Sequence, residues 1–244
     1  MNVMAERCTG CGLCLKHCPM RAIKITARKA RVDQDLCAEC EVCYRVGVCT
    51  EDAFEPAREL AWPRSIRSIF SNPLTEFKET GVTGRGTEEM KTNDVTGRFR
   101  SSMLGVCVDV GRPNVGATLK DVEVITRAVA PLGVEFEGKN PVTYVMRDRA
   151  SGQLDPAVLS ERVVSAVVEF TIPPEKLRGV LEALQAVAPV VDTVFSVGVI
   201  CRMEDGDHVP ALDQVRGWGD PDFAVGPHSK VNAGLGRPGS GPGE

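Results

Sequence analysis

Apolar and polar positions along residues 102 to 204 switch between a period of two and a period near 3.6. Leu104, Val106, Val108 and Val110 alternate with Met103, Gly105, Cys107 and Asp109, as in a half-buried strand. Thr118-Leu-Lys-Asp121 reads as a capping box, after which Leu119, Val122, Ile125 and Val129 share a helix face that Gly133 closes. A second strand is predicted from Val142 to Arg147, and Asp155-Pro156 opens a short helical turn. A third strand is predicted from Val163 to Thr171. Pro173-Pro174 starts a helix with Leu177, Val180, Leu184 and Val187 on one face, and a last strand runs from Val194 to Cys201. The order is βαββαβ, the split βαβ plan of an antiparallel sandwich, within an α+β chain.

Strand parity divides the predicted sheet. Leu104, Val106, Val108, Val164, Ala166, Val168, Phe170, Phe195, Val197 and Val199 form an apolar face for the two helices. The opposite face carries Gly105, Cys107, Asp109, Ser165, Val167, Glu169, Ser196 and Gly198. Its small side chains suit either a contact with another sheet or a solvated surface. Cys107 and Cys201 fall on opposite faces, so both read as small structural apolar residues and not as a disulfide.

The remaining chain has a different texture. Residues 1–58 hold eight of the ten cysteines. Residues 59–100 mix Pro63, Pro73, Gly81, Gly84, Gly86 and Gly97 with polar residues, and read as a connecting segment before the domain of 101–204. Residues 205–244 are rich in Gly, Pro, Asp and Ser and are expected to form a flexible tail. Residues 101–205 carry ten basic and fourteen acidic side chains and supply most of the net charge of −4. That balance gives no bulk positive surface for nucleic acid. No apolar run approaches the roughly 20 residues of a membrane helix. The opening Met-Asn-Val-Met-Ala-Glu-Arg has no apolar export core, so a cytoplasmic location is expected, without membrane insertion.

The cysteines are ordered as an internal repeat. Cys8, Cys11, Cys14 and Cys18, followed by Pro19, fit C-x2-C-x2-C-x3-C-P. Cys37, Cys40, Cys43 and Cys49 repeat the pattern with two extra residues before the last cysteine, and Thr50 stands where the proline would be. Ala22-Ile23 and Ala53-Phe54 follow the fourth cysteine of each copy. Three closely spaced thiolates can wrap one iron–sulfur cube, while the fourth must arrive from elsewhere in the chain. Paired zinc sites are the alternative, but tetrahedral zinc leaves the third close cysteine of each copy without a use. A secreted disulfide scaffold would be shorter, with cysteines throughout.

Residues 4 to 56 resemble the bacterial-type two-[4Fe-4S] ferredoxins. The resemblance implies a small pseudo-twofold domain that passes single electrons between two [4Fe-4S] clusters. It implies Cys8, Cys11, Cys14 and Cys49 as ligands of the first, and Cys37, Cys40, Cys43 and Cys18 as ligands of the second. Gly10 and Gly12 would let backbone amides approach sulfur. His17 could relay a proton or sit exposed in a turn, and Tyr44 could cover a cube or simply pack. The later segment, through Val168 to Leu177 and Val191 to Val199, is similar to ACT-like ferredoxin-fold domains, which pair through strands or sheet faces and in some cases bind small effectors.

Three functions follow as expectations. The first is an electron-carrying subunit of an anaerobic oxidoreductase complex, with a redox partner protein and a homodimer through the ACT-like domain as candidate partners. The second is an effector-binding or redox-responsive regulator. The third is a flavin-dependent oxidoreductase, in which Thr80 to Glu89, with Arg85, presents amides and a cation to a phosphate or else serves as a connecting loop. No acid–base or nucleophile constellation is visible, and no catalytic residue is assigned.

Overall fold

The computed structural model describes residues 1–85, 100, 102–202, 208–223 and 225. Two hydrophobic cores organise them. The first gathers Met1, Ala22, Ile23, Ala30, Ala53 and Phe54 around the cysteines. Strand β1 (Asn2–Val3) and hairpin strands β2 (Ile23–Thr26) and β3 (Lys29–Val32) precede helix α1 (Val42–Arg45). Strand β4 (Phe54–Glu55) then pairs antiparallel with β1, and β2 pairs with β3. The alanine-plus-apolar pair after each fourth cysteine thus begins or enters a ladder in both repeats, and its alanines are 1% exposed.

Helix α2 (Ser65–Ser71) lies in the segment expected to be a mere connection. Its Ile66 and Phe70, one helical turn apart, are buried in the second core. Their spacing is a helix signal too short to stand out among the neighbouring prolines. The sequence then builds β5 (Leu104–Val110), β6 (Ala117–Thr118), α3 (Leu119–Val129) and β7 (Glu135–Phe136). Thr118 and Asp121 form the expected capping box, and Gly133 stops the helical run at φ 68°.

The predicted strand from Val142 to Arg147 is not the second strand of this sheet. Asn140 accepts a hydrogen bond from the Val142 amide and Pro141 occupies the first helical position, so α4 (Pro141–Tyr144) forms instead. Only β8 (Met146–Asp148) is extended there, in a two-stranded ladder with β9 (Gln153–Leu154). The predicted third strand is also divided: β10 (Arg162–Val163) pairs with β6, and β11 (Ala166–Ile172) enters the main sheet. Helix α5 (Leu177–Val187) and strand β12 (Phe195–Ile200) complete an antiparallel sheet of order β12-β5-β11-β7.

Register places Val106 opposite Phe170 and Val199, and Val108 opposite Val168 and Val197, so the apolar face is the one inferred from parity except at Val164, which lies in the break between β10 and β11 while Val163 enters the core. The other face is neither open nor solvated across its centre. Cys107 is 0% exposed and Glu169 1%. Asn140 donates to Glu169 Oε2 at 2.8 Å, Arg85 contacts Asp109 Oδ1 at 3.0 Å, and Cys107 packs with Val167. The face read as either a contact surface or a solvated one is therefore covered within the chain at Cys107, Val167 and Glu169, while Ser196 is exposed.

Part of the expected tail is folded. Helix α6 (Pro210–Gly217) buries Ala211 and sets Val215 and Trp218 against the second core. Arg178 of α5 lies 5.6 Å from the Trp218 ring centroid and 3.1 Å from the Asp220 carboxylate. Residues 203–207, 224 and 226–244 lie outside the described residues, so the rest of that expectation falls there.

Arg67 joins the two cores. Its guanidinium donates to the Glu161 carboxylate, to the carbonyl of Gln34 at 2.9 Å and to that of Cys37 at 2.8 Å. Both ionic side chains are buried, at 7% and 8% exposure. Arg67→Met should destabilise the protein by about 3–5 kcal/mol in urea unfolding, because Glu161 would remain buried without its partner. Adding Glu161→Leu should recover part of that loss. A single variant within about 0.5 kcal/mol of the parent, the ordinary range of a surface change, would show that the bridge is energetically idle.

Candidate metal centre

The pseudo-twofold ladders hold two loops and two cavities. Cys8, Cys11 and Cys14 lie on the loop after β1, and Cys49 arrives from the segment before β4. These four line one cavity with Val3, Ile25 and Phe54. Cys37 and Cys40 lie on the loop into α1, Cys43 lies in α1 itself, and Cys18 reaches them from the first repeat. They line the second cavity with Met1, Ile23 and Val32. Each cavity thus takes three cysteines from one repeat and the fourth from the other.

Local backbone geometry creates these loops. Gly10 has φ 73°, and a Cβ there would lie 2.2 Å from the Arg28 carbonyl oxygen, so only glycine lets the β2–β3 turn seat on the first cysteine loop. Ala30 donates its amide to Cys8 Sγ at 3.2 Å. Equivalent amides serve the crossing cysteines: Ala22 donates to Cys18 Sγ at 3.2 Å, and Ala53 to Cys49 Sγ at 3.4 Å. The alanines repeated in the sequence therefore have a chemical position as well as a packing one. In the longer second repeat, α1 occupies the extra length and Gly47, at φ 60°, turns the chain out of it.

Electrostatics separates the same two sets. Burial pushes the Cys14 thiol up, with the charges of Cys11, Cys8 and Cys49 adding to the shift. Burial pushes Cys40 up to about 11 and Cys43 to about 12, with Cys18 and Cys37 contributing in both cases. Cys37 is also raised, first by burial and then by the Glu39 carboxylate beside it. Burial alone would raise Glu39, but hydrogen bonds from the Met1 α-amino group and Arg64 outweigh it and hold the carboxyl low. Arg64 donates to Glu39 Oε1 at 2.8 Å and to the Gln34 carbonyl at 2.8 Å.

The donor set fits iron–sulfur clusters. Four soft sulfur ligands surround a space with apolar walls, and backbone N–H groups stand ready to stabilise thiolate charge. Among the described residues, no three His, Cys, Asp or Glu side chains are close enough to share one metal ion. Cys107 and Cys201 join neither set; Cys107 is buried with Val167, and Cys201 packs on the second core.

His17 is half-buried in a short 3-10 turn and Tyr44 is 44% exposed on α1; neither lines a cavity. Arg85, considered for a phosphate, is committed to Asp109, while residues 86–99 lie outside the described residues. Sequence reasoning missed Arg64, Arg67 and Glu39, whose roles depend on contacts 25 to 94 residues away.

Residues 1–24 match the 4Fe-4S binding domain family. A ferredoxin-like protein in the nif region of Sinorhizobium fredii is 34% identical over 48 residues, which cover 20% of this chain and 75% of that protein. A subunit of an ion-translocating oxidoreductase complex from Methanosarcina acetivorans is 42% identical over 48 residues, 20% of this chain and 17% of that protein. The indolepyruvate oxidoreductase subunit IorA of Thermococcus kodakarensis is 38% identical over 60 residues, 24% of this chain and 9% of that protein. The chain therefore spans only a small fraction of the two oxidoreductase subunits. No solved structure matches it significantly. No helix among the described residues is long and apolar enough to cross a membrane.

In the metal-free protein, exposed Cys11 should react with iodoacetamide at pH 8 far faster than Cys40 or Cys43. With thiol pKa values of about 11 and 12, these two hold on the order of a thousandth or less of their population as thiolate at pH 8. Labelling of Cys40 and Cys43 should rise with pH toward those values. Because folding raises both, the metal-free fold should lose stability as pH climbs above about 9. Equal labelling of all three in peptide mass spectra would contradict this.

Proposed function

The chain belongs, through its N-terminal domain, to the 4Fe-4S binding ferredoxin family, and from that premise we propose that it carries two [4Fe-4S] clusters and relays single electrons as a subunit of an oxidoreductase. The observation that carries the reading is the sorting of eight cysteines into two cavities of four, each completed by the opposite repeat. Cys8, Cys11, Cys14 and Cys49 would hold the first cluster. Cys37, Cys40, Cys43 and Cys18 would hold the second.

When bound, such a cluster takes up and returns one electron at a time without forming or breaking a bond in a substrate. The protein's own contribution is to hold and tune it. Thiolates fix each cluster; the amides of Ala22, Ala30 and Ala53 donate to ligand sulfurs and offset negative charge. Ile23, Val32, Ile25 and Phe54 keep water from the cavity walls. The sheet domain acts as the adaptor: α2 grows from the cluster domain into the second core and carries the arginine that grips the Cys37 loop. An ACT-like effector role is the weaker reading, because the sheet face opposite the helices is filled at Cys107, Val167 and Glu169.

Anaerobically purified protein should contain about eight iron and eight sulfide per chain, as two four-iron clusters require. Cys18→Ala should perturb the cluster of Cys37, Cys40 and Cys43, and Cys49→Ala the other, as read by electron paramagnetic resonance of the reduced variants. Stoichiometric zinc would refute the cluster reading. Loss of each repeat's own cluster would refute the crossed ligation.

A further inference from the structure

The two cavities are embedded very differently. The second is walled by Met1, Ala22, Ile23 and Ala38, each at most 6% exposed, and its Cys37 loop is held by Arg64 and Arg67. Asn114 also donates to the Pro19 carbonyl at 2.7 Å, and Met20 packs against Gly116, tying the Cys18 segment to the second domain. The first cavity lies away from these ties. Its Cys11 is exposed, and Leu13, Leu15 and Ile25 show 46%, 40% and 37% of their surface to solvent. Leu13 and Ile25 line the cavity itself, and Leu15 lies 3.6 Å from where a Cβ on Gly12 would stand.

Charge beside this patch is biased. Residues 7–32 carry seven Lys and Arg and no carboxylate. Arg7 is matched by Asp52 at 3.8 Å, Lys24 by Asp33 at 3.8 Å, and Lys29 is bound to the Cys8 carbonyl at 2.5 Å. Of the other four, Arg21 and Arg31 are exposed beside Met20 and Val32, which line the second cavity, whereas Lys16, one residue past Leu15, and Arg28, whose carbonyl abuts Gly10, are exposed beside the first; none of the four has an ion-pair partner among the described residues. The carboxylates adjacent in the chain to first-set cysteines are Glu6 and Glu51, besides the matched Asp52.

We propose that electrons enter and leave this protein at the first site, through the apolar patch of Leu13, Leu15 and Ile25, and that the occupant of this patch is a redox protein presenting an apolar face rimmed by carboxylates. The proposal rests on the cluster reading above. Apolar contact brings the partner's redox centre close to Cys11, and Lys16 and Arg28 supply attraction and orientation. The second site, enclosed against the adaptor domain, then serves as the inner store. This polarity runs against the net charge of −4, which by itself would repel an anionic partner.

Two anionic probes test it. Hexacyanochromate(III), which is redox-inert and paramagnetic, should selectively broaden amide resonances of Leu13, Lys16 and the 24–29 turn in the metal-free protein or in residues of the holoprotein far enough from the clusters to observe. Hexaamminechromium(III), a cation, should not. In stopped-flow experiments on the reduced holoprotein, each cluster gives one electron to one hexacyanoferrate(III), leaving hexacyanoferrate(II). That rate should fall as salt is added. Lys16→Glu with Arg28→Glu should slow it about tenfold or more at low ionic strength, as steering of a trivalent anion predicts. Compared at about 0.1 M ionic strength, where the Debye length is about 10 Å, Lys120→Glu with Arg127→Glu, the same charge change on exposed positions of α3 in the second domain, should leave the rate within about twofold of the parent, and Lys16→Glu with Arg28→Glu should still slow it more. Broadening centred elsewhere, a rate that rises with salt, or equal effects of the two double variants would overturn the proposal. Absence of iron and sulfide would instead defeat the cluster reading, and the chromium map would still report on the surface.

Discussion

One buried guanidinium decides how the molecule is put together. Arg67 must satisfy its donors away from water, and it does so by reaching both domains: Glu161 on one side and the carbonyls of Gln34 and Cys37 on the other. A buried charge cannot be left half-partnered without a cost of several kcal/mol. The position of the Cys37 loop is therefore tied to the position of α2, and α2 is anchored in the second core by Ile66 and Phe70. A loop and helix that carry three thiols of one site thus take their geometry partly from a domain that contributes no thiol.

The same tie breaks the symmetry of the repeat. Two copies of one motif yield two cavities with matching ligand topology and matching N–H donors at Ala22 and Ala53. Only one of them is pressed against the second domain. Burial raises Cys40 and Cys43 most strongly, whereas Cys11 remains exposed. Equivalent sets of sulfur donors in inequivalent surroundings would give two like cofactors different access and different electrostatics.

In the second domain, polar chemistry replaces what parity alone suggested. The face with Cys107, Val167 and Glu169 has small and polar residues because Asn140 and Arg85 pack over it and bond to its carboxylates. Asn140 caps α4 with its side-chain oxygen and donates to Glu169 with its nitrogen, so one residue both ends the expected second strand and covers the sheet. The short β7 then takes the edge position beside β11.

Short-range patterns were legible in the sequence by itself: the cysteine spacing and its repeat, the Thr118–Asp121 cap, the helix faces of α3 and α5, and the parity that aligns Val106 with Phe170. Each depends on neighbours within a few residues or on a fixed strand period. The Asn140-Pro141 helix start was equally local, yet the alternating apolar residues after it imitated a strand. Tertiary structure decided the rest. It placed Arg64 and Arg67 on carbonyls and carboxylates tens of residues away, folded α6 onto Arg178, closed the second sheet face and left one cysteine cavity outward. A guanidinium, a carboxylate or a small side chain has no partner until distant chain segments are brought together, so its role is a property of the packing and not of the local sequence.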